Sequence, residues 1–420
     1  MNKKRLFTKT MIAAAITLTS QQALSAGFQL NAQSATGLGR AFAGDAVIAD
    51  NASVMSRNAA AMSLFDAPAI SLGLNVIDTD IDVKGATYTG PSTRFQPSSI
   101  DDQSIGDSAL VPNIYYIHPI NEQWTVGASI YSNFGTKTEF SSDYPANEYG
   151  GLTDVKSMNF GLSASYRVNQ QWSVGAGLDI IYGEGKLQRS NQSLGGTLLD
   201  VDADGVGVGF NLGTVFELDD RNRFGLSYRY SPELETEGDM SYKGQDLSSQ
   251  KLLMPLPDMA EFSGFHKLND LFAVHYSVQW IGWSAFDKLA TDGGVTLNDY
   301  EWKDGWHYAV GGTYYLNNDW TLRAGYMYDT SAQDQKTSIS VPDSDRQWFS
   351  TGFTYHLDAK SNIDFGITYL VGKDVSVNES TENPNYTPGN PLNGPENISS
   401  ISATTRANAL LYGIQYSRSF

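Results

Sequence analysis

Residues 26–65 read AGFQLNAQSATGLGRAFAGDAVIADNASVMSRNAAAMSLF. The stretch is rich in Gly and Ala and shows no two-residue alternation of apolar and polar side chains. It cannot bury enough apolar surface to build its own core. From residue 68 onward the pattern changes to segments in which apolar residues recur at every second position, the signature of strands with one greasy face. Such strands can close into a cylinder around a segment that needs a container. The expected organisation is therefore a plug over 26–67 held inside a barrel formed by 68–420.

The alternation is sustained. Ile70, Leu72, Leu74 and Val76 share one face, and a second strand spans about Ala109 to His118. Trp124, Val126, Ala128 and Ile130 follow, then Met158 to Val168, Trp172 to Tyr182, Val206 to Phe216 and Phe224 to Tyr230. A weaker strand over Asp258–Leu268 precedes Phe272–Trp280, Trp306–Tyr314, Trp320–Tyr328, Phe349–Tyr355, Ile363–Tyr369 and Leu410–Phe420. This gives fourteen antiparallel strands in an all-β fold. Their connections alternate between short turns, such as Asn169–Gln171 and Asn317–Asp319, and long polar stretches, such as Asp78–Asp107, Glu184–Asp204 and Val371–Arg406. A soluble sandwich has no reason to alternate in this way. An outer-membrane barrel does, with short turns at the periplasmic rim and long loops outside. An even strand count returns both ends of the sheet to the periplasm, and closure leaves no unpaired edge in lipid.

Residues 1–25 carry Lys3, Lys4, Arg5 and Lys9, then a short apolar run from Met11 to Leu18 and a small-x-small pattern at Ala23–Ser25. They read as an export signal cleaved before Ala26, too short to span a bilayer. The chain contains no cysteine, so no disulfide framework is expected. The net charge is −18, and removing the four basic residues of 1–25 leaves −22, which argues against a nucleic-acid partner. Eight Trp, 23 Tyr and 19 Phe supply aromatic girdles at two membrane interfaces.

AGFQLN, TGLGRAFAGD and IADNASVMSRN resemble the beginning of the FadL/TodX family of outer-membrane long-chain fatty acid transporters, and the resemblance runs through the chain from Ala26. It implies that 26–67 is a hatch and that Arg189, in GEGKLQRS, and Lys303, in YEWKDGW, hold the carboxylate of a bound fatty acid. It implies a kink in the third strand at Asn133, Phe134 and Gly135, through which ligand leaves sideways. It implies an outer docking loop at Leu252, Leu253, Met254 and Leu256. In the hatch, Arg57-Asn58-Ala59-Ala60 keeps the family's Asn but has Ala59 where the family carries Pro, which removes a fixed φ and suggests a less rigid turn. VPDSDRQW, with Arg346, reads as bracing charge at the mouth of strand twelve. Phe420 resembles the C-terminal aromatic read by the barrel assembly machinery. Lipid and lipopolysaccharide surround such a barrel, and a monomer in the outer membrane is expected.

No H-E-x-x-H or G-x-S-x-G occurs, and no cofactor or metal is expected. His275 falls on the lumen-facing parity of its strand, where a phospholipase would pair it with a serine; a hydrogen-bonded structural histidine is the plainer reading. The protein is expected not to be an enzyme. Two other transport readings stand beside the fatty acid channel: an aromatic hydrocarbon channel of the same family and a polar-solute porin. The pair of cations argues for an acid, and the plug argues against an open pore.

Overall fold

The computed structural model describes residues 27–191, 196–383 and 396–420. The expected signal at 1–25 and its cleavage point at Ala26 lie outside these residues. Fourteen strands form the wall: β1 Ala69–Thr89, β2 Ser108–Pro119, β3 Trp124–Tyr131, β4 Leu152–Arg167, β5 Trp172–Asn191, β6 Gly196–Glu217, β7 Asn222–Tyr230, β8 Met259–Lys267, β9 Phe272–Ile281, β10 Gly305–Tyr315, β11 Trp320–Asp329, β12 Arg346–His356, β13 Ser361–Gly372 and β14 Asn397–Ser419. Each pairs antiparallel with the next, and β14 pairs with β1 from Ala69↔Ser419 upward, so the cylinder is closed. All six short turns use one device. The side-chain oxygen of Asn121, Asn169, Asp219, Asn269, Asn317 or Asp358 accepts the backbone N–H two residues on, at 2.7–2.9 Å.

Several stretches expected to be loops are strands, and the phase of the alternation explains why they read otherwise. Along β1 the exposed residues run Leu72, Leu74, then Asp78 and Asp80, with Asp82 part-exposed on the same face, while Ile77, Ile81 and Val83 are buried. Within the bilayer the outward face must be apolar. Above it the outward face meets water, so the apolar residues move to the inward face and the period of two slips by one residue. The same inversion occurs in β6, where Asp200 and Asp202 point out and Leu199, Val201 and Ala203 point in, before Val206 and Val208 face lipid. Within the described residues, the expected loops at 78–107, 184–204 and 371–406 are thus largely strand extensions; 192–195 and 384–395 lie outside those residues. Val375–Glu382 pairs with β14, and Glu233–Tyr242 with β6. Together they form a canopy with an apolar underside above the membrane.

At the short-turn end, Trp124–Tyr166, Trp172–Phe216, Phe272–Tyr314 and Trp320–Tyr355 pair at ring distances of 4.6–4.8 Å, as an interfacial girdle does.

Residues 28–63 are buried except near Ala49–Asp50 and Arg57. They hold one short helix, α1 Ala35–Leu38, capped by Ser34, and two 3-10 turns at Ala52–Ser56 and Ala59–Leu64 capped by Asn51 and Asn58. Ions fix them to the wall. Asp50 bridges Arg40 at 3.0 Å and Arg323 of β11 at 3.2 Å, and Arg57 reaches Glu261 of β8 at 3.4 Å. Buried charges persist only when paired in this way.

The turn lacking Pro is held by its Asn. Asn58 Oδ1 accepts the Ala60 N–H at 3.0 Å, and Asn58 Nδ2 donates to Ala46 O at 2.8 Å and Thr214 O at 3.1 Å. The turn expected to be less rigid is therefore anchored by side-chain bonds to both hatch and wall. Arg346 is fully buried and paired with Asp343, with Asp329 at 3.9 Å.

The wall is thinned by glycine where the hatch backbone touches it. At Gly366 a Cβ would overlap the Ala35 carbonyl oxygen, and at Gly213 it would overlap Asn58 Oδ1. Gly366→Val is therefore expected to unseat α1. Single-channel conductance in planar bilayers should rise above wild type while heat-modifiable electrophoretic migration still reports a closed barrel. Wild-type conductance would show that the hatch does not rest on this contact.

Candidate functional site

The third strand is interrupted between Tyr131 and Gly135, the stretch that holds Asn133 and Phe134. Regular pairing stops at Tyr131 and resumes at Gly135–Glu139 against Leu152–Lys156. On the other side, the β2–β3 ladder ends at Ile114↔Ile130. Above that level the upper half of β2 pairs with β1 but not with β3, which leaves an interruption in the wall.

The hatch covers it from inside. Leu30 N–H donates to Asn133 O at 2.6 Å, Gly135 N–H donates to Phe28 O at 2.9 Å, and Gln29 sits opposite Phe134 in an antiparallel bridge. Phe134 also exchanges bonds with Ser157 of β4: its N–H donates to Ser157 Oγ at 3.0 Å, and its carbonyl accepts from Ser157 N–H at 2.9 Å. The broken segment is thus satisfied by β4 on one edge and by the hatch on the other.

Directly outside this seam lies a narrow apolar slot with a free volume of about 30 Å³. Phe28, Leu187, Leu252, Met254, Phe286 and Trp302 are among its walls. Phe28 packs against Trp283 at 4.5 Å, Phe286 at 5.2 Å and Phe134 at 6.3 Å, so one hatch side chain touches both the slot and the break. A larger hollow around Ala128, Ala164 and Ala176 opens on the lipid-facing side of β3–β5, away from these groups.

Arg189, at the outer end of β5, reaches the slot rim. Its Nη2 donates to Thr153 Oγ1 at 2.8 Å, and Thr153 lines the slot; its Nη1 donates to Leu152 O at 2.6 Å and Gln188 O at 2.8 Å. Among the described residues no carboxylate forms an ion pair with it. Burial lowers its pKa, and Tyr300 and Glu379 are the groups that act on it through space. Glu379, on the canopy strand, accepts the Ile339 N–H at 2.8 Å. Burial pushes its carboxyl up to about 7, against the Ile339 N–H and the Arg189 charge, both of which favour ionisation.

Lys303 is placed differently. It is half exposed and forms an ion pair with Asp334 at 3.3 Å, although the adjacent Trp302 lines the slot. No contact joins it to Arg189. The outer docking loop also differs from expectation. Leu252, Met254 and Leu256 are buried, and the first two line the slot. Pairing of Leu252–Pro255 with Glu233–Thr236 turns alternate side chains under the canopy, leaving Leu253 on the partly exposed face. Leu252 and Met254 thus form part of the slot wall.

His275 has Thr313 Oγ1 at 3.1 Å from its Nε2, and Ser277 is engaged by Ser263 and Glu261, so no serine–histidine pair forms. Sequence reading did not single out Phe28, Trp283, Phe286 or Trp302. The signal for the last three was the density of aromatics between Trp283 and Trp302, outside the wall strands.

The chain matches, over residues 16–420, the family described as outer membrane protein transport protein (OMPP1/FadL/TodX). It is 37% identical over 431 residues to the long-chain fatty acid transport protein of Escherichia coli K12, covering 90% of this chain and 95% of that protein. It is 32% identical over 462 residues to outer membrane protein P1 of Haemophilus influenzae, covering 99% of each. Its fold is similar to the crystal structure of a Pseudomonas aeruginosa FadL homologue, with a TM-score of 0.81 at 21% identity over 94% of this chain and 100% of that one. The Pseudomonas putida toluene transporter TodX superposes with a TM-score of 0.67 at 19% identity, again over 94% of this chain and 100% of that one. The closed barrel, the seam at its broken strand and the match along its length place the chain in the OMPP1/FadL/TodX family of outer-membrane transport proteins.

Proposed function

We propose that this protein is a passive outer-membrane conduit for long-chain fatty acids, not an enzyme, acting in the bacterial outer membrane after export and removal of residues 1–25. The observation that carries the reading is a guanidinium that, among the described residues, has no carboxylate partner and sits at the rim of an apolar slot. Arg189 can give two parallel hydrogen bonds to a carboxylate, while the slot takes the chain at ~0.8 kcal/mol per buried CH₂. A neutral aromatic hydrocarbon would leave Arg189 without a partner, and a steady water-filled pore does not fit a lumen occupied by the hatch. The relatives named as long-chain fatty acid transport proteins support the same class.

The ligand enters under the canopy past Leu252 and Met254, with Lys303 adding positive charge at the mouth. It is released when the hatch strand around Phe28–Leu30 leaves Asn133–Gly135, opening the wall between β2 and β3 toward lipid. Arg57, Asn58, Ala59 and Ala60 anchor the part of the hatch that stays. Flow follows the gradient. The chain works as a monomer among lipid and lipopolysaccharide, and Phe420 presents the last strand to the assembly machinery.

Arg189→Ala should weaken oleate binding to the detergent-solubilised protein by about ten- to a hundredfold, the value of a charge-assisted hydrogen-bond pair. Lys303→Ala should cost less than about threefold, since an exposed ion pair contributes little. Equal affinity in wild type and Arg189→Ala would remove the anchor.

The Glu379 carboxyl is neutral below its raised pKa of about 7 and charged above it. Its negative charge near Arg189 then opposes a ligand anion. Oleate affinity should therefore fall between about pH 6 and pH 8 by on the order of tenfold more in wild type than in Glu379→Gln, at an effective dielectric near 20. Comparing the two proteins removes the ligand's own titration, and parallel pH profiles would refute the coupling.

The seam can be locked. Gln29 and Phe134 form a non-hydrogen-bonded antiparallel pair, the spacing of which suits a disulfide, and the chain has no native cysteine. Oxidised Gln29→Cys/Phe134→Cys should bind oleate yet not pass it, and reductant should restore uptake. Uptake through the oxidised protein would show that the ligand leaves elsewhere.

A further inference from the structure

A second cavity lies on the other side of the seam. It is small, with a free volume of about 20 Å³, and polar, with Asn133, Arg57, Arg229, Glu261 and Gln279 in its walls. Phe28 lines the apolar slot and its neighbour Gln29 lines this chamber, so the two spaces are separated by one step of the hatch strand. Asn133 belongs to the broken segment itself.

The chamber has donors without acceptors. Asn133 Nδ2 is buried and makes no hydrogen bond, although its Oδ1 accepts from Gln33 Nε2 at 3.1 Å, which fixes the amide's orientation. Arg57 Nε likewise has no acceptor; its nearest carboxylate oxygen, on Asp45, is 3.8 Å away. Unmet buried donors are costly and uncommon.

The other bonds show what can be exchanged. Arg57 Nη2 donates to Asn31 Oδ1 and Gln33 Oε1, each at 2.9 Å, whereas Nη1 reaches Glu261 Oε2 only at 3.4 Å. Glu261 does not depend on Arg57, because its Oε1 accepts from Ser263 and Ser277 at 2.9 and 3.0 Å. Arg229 is held by Asp179 and by Ser56 O. The free capacity therefore consists of N–H donors, one of them on a guanidinium. The group that matches it is acceptor-only and anionic, which is a carboxylate.

We propose that this chamber is a relay site for the carboxylate head group of the transported acid, received by Asn133 Nδ2 and Arg57 Nε between the slot and the break in the wall. The proposal rests on the fatty acid reading above and adds to it a step that separates acids from neutral molecules of the same length. A neutral chain gains nothing from these donors. An acid leaving Arg189 without them would carry its charge unaccompanied through the seam.

Two isosteric changes test it from opposite walls. Asn133→Asp keeps the oxygen that Gln33 uses and removes the free donor. Gln279→Glu keeps the oxygen facing His307 Nδ1 at 2.9 Å and replaces an amide nitrogen whose nearest partner is the Met259 sulfur at 4.0 Å. Uptake of oleate and of oleyl alcohol is measured in proteoliposomes, with oleate affinity of the solubilised protein and heat-modifiable migration as separate readouts. The acid-to-alcohol uptake ratio should fall at least about tenfold in both folded variants, with slot affinity within about twofold of wild type. An unchanged ratio in either folded variant overturns the relay while leaving the transport reading intact. Failure of wild type to pass either molecule overturns both.

Discussion

Within a bilayer every backbone N–H and C=O must find a partner in the protein. Most of this wall meets that demand by closure, from the β1–β14 ladder around to β13. Strand β3 does not, because its ladder to β2 ends at Ile114↔Ile130. The bonds missing at Asn133–Gly135 are made from within the barrel by Phe28 and Leu30. This substitution couples the two halves of the molecule. The hatch is part of the wall's hydrogen-bond accounting as well as a stopper.

The same economy governs charge. The lumen holds several guanidinium groups, and most are paired at short range: Arg40 with Asp45 and Asp50, Arg323 with Asp50, Arg229 with Asp179, Arg346 with Asp343. These pairs fix the hatch against the strands. Arg189 at the slot rim bonds only to hydroxyl and carbonyl oxygens among the described residues, and behind the seam Asn133 Nδ2 and Arg57 Nε have no acceptor.

The site was legible in part. Arg189 sits at the slot rim, and strand pairing is interrupted at Asn133–Gly135. Lys303 faces solvent beside Asp334, and Leu252 and Met254 lie under the canopy, because the pairing of short canopy strands decides which side of a loop is wet. Phe28 went unnoticed because one aromatic in a small-residue stretch carries no periodicity; its importance comes from the Trp283, Phe286 and Phe134 rings that meet it.

The chain by itself determined the cylinder. Strict alternation with a lipid-facing apolar parity, six Asx turns and a plug sequence unable to form its own core leave few other arrangements, because each is a local consequence of backbone geometry and solvent. Tertiary structure decided where the sheet ends above the membrane. The inside-out inversion at Ile77 and Asp78 erases the one-dimensional pattern at the point where the surrounding solvent changes from hydrocarbon to water. It also decided which charges stay unpaired, since that depends on residues more than a hundred positions apart being brought within a hydrogen bond of one another.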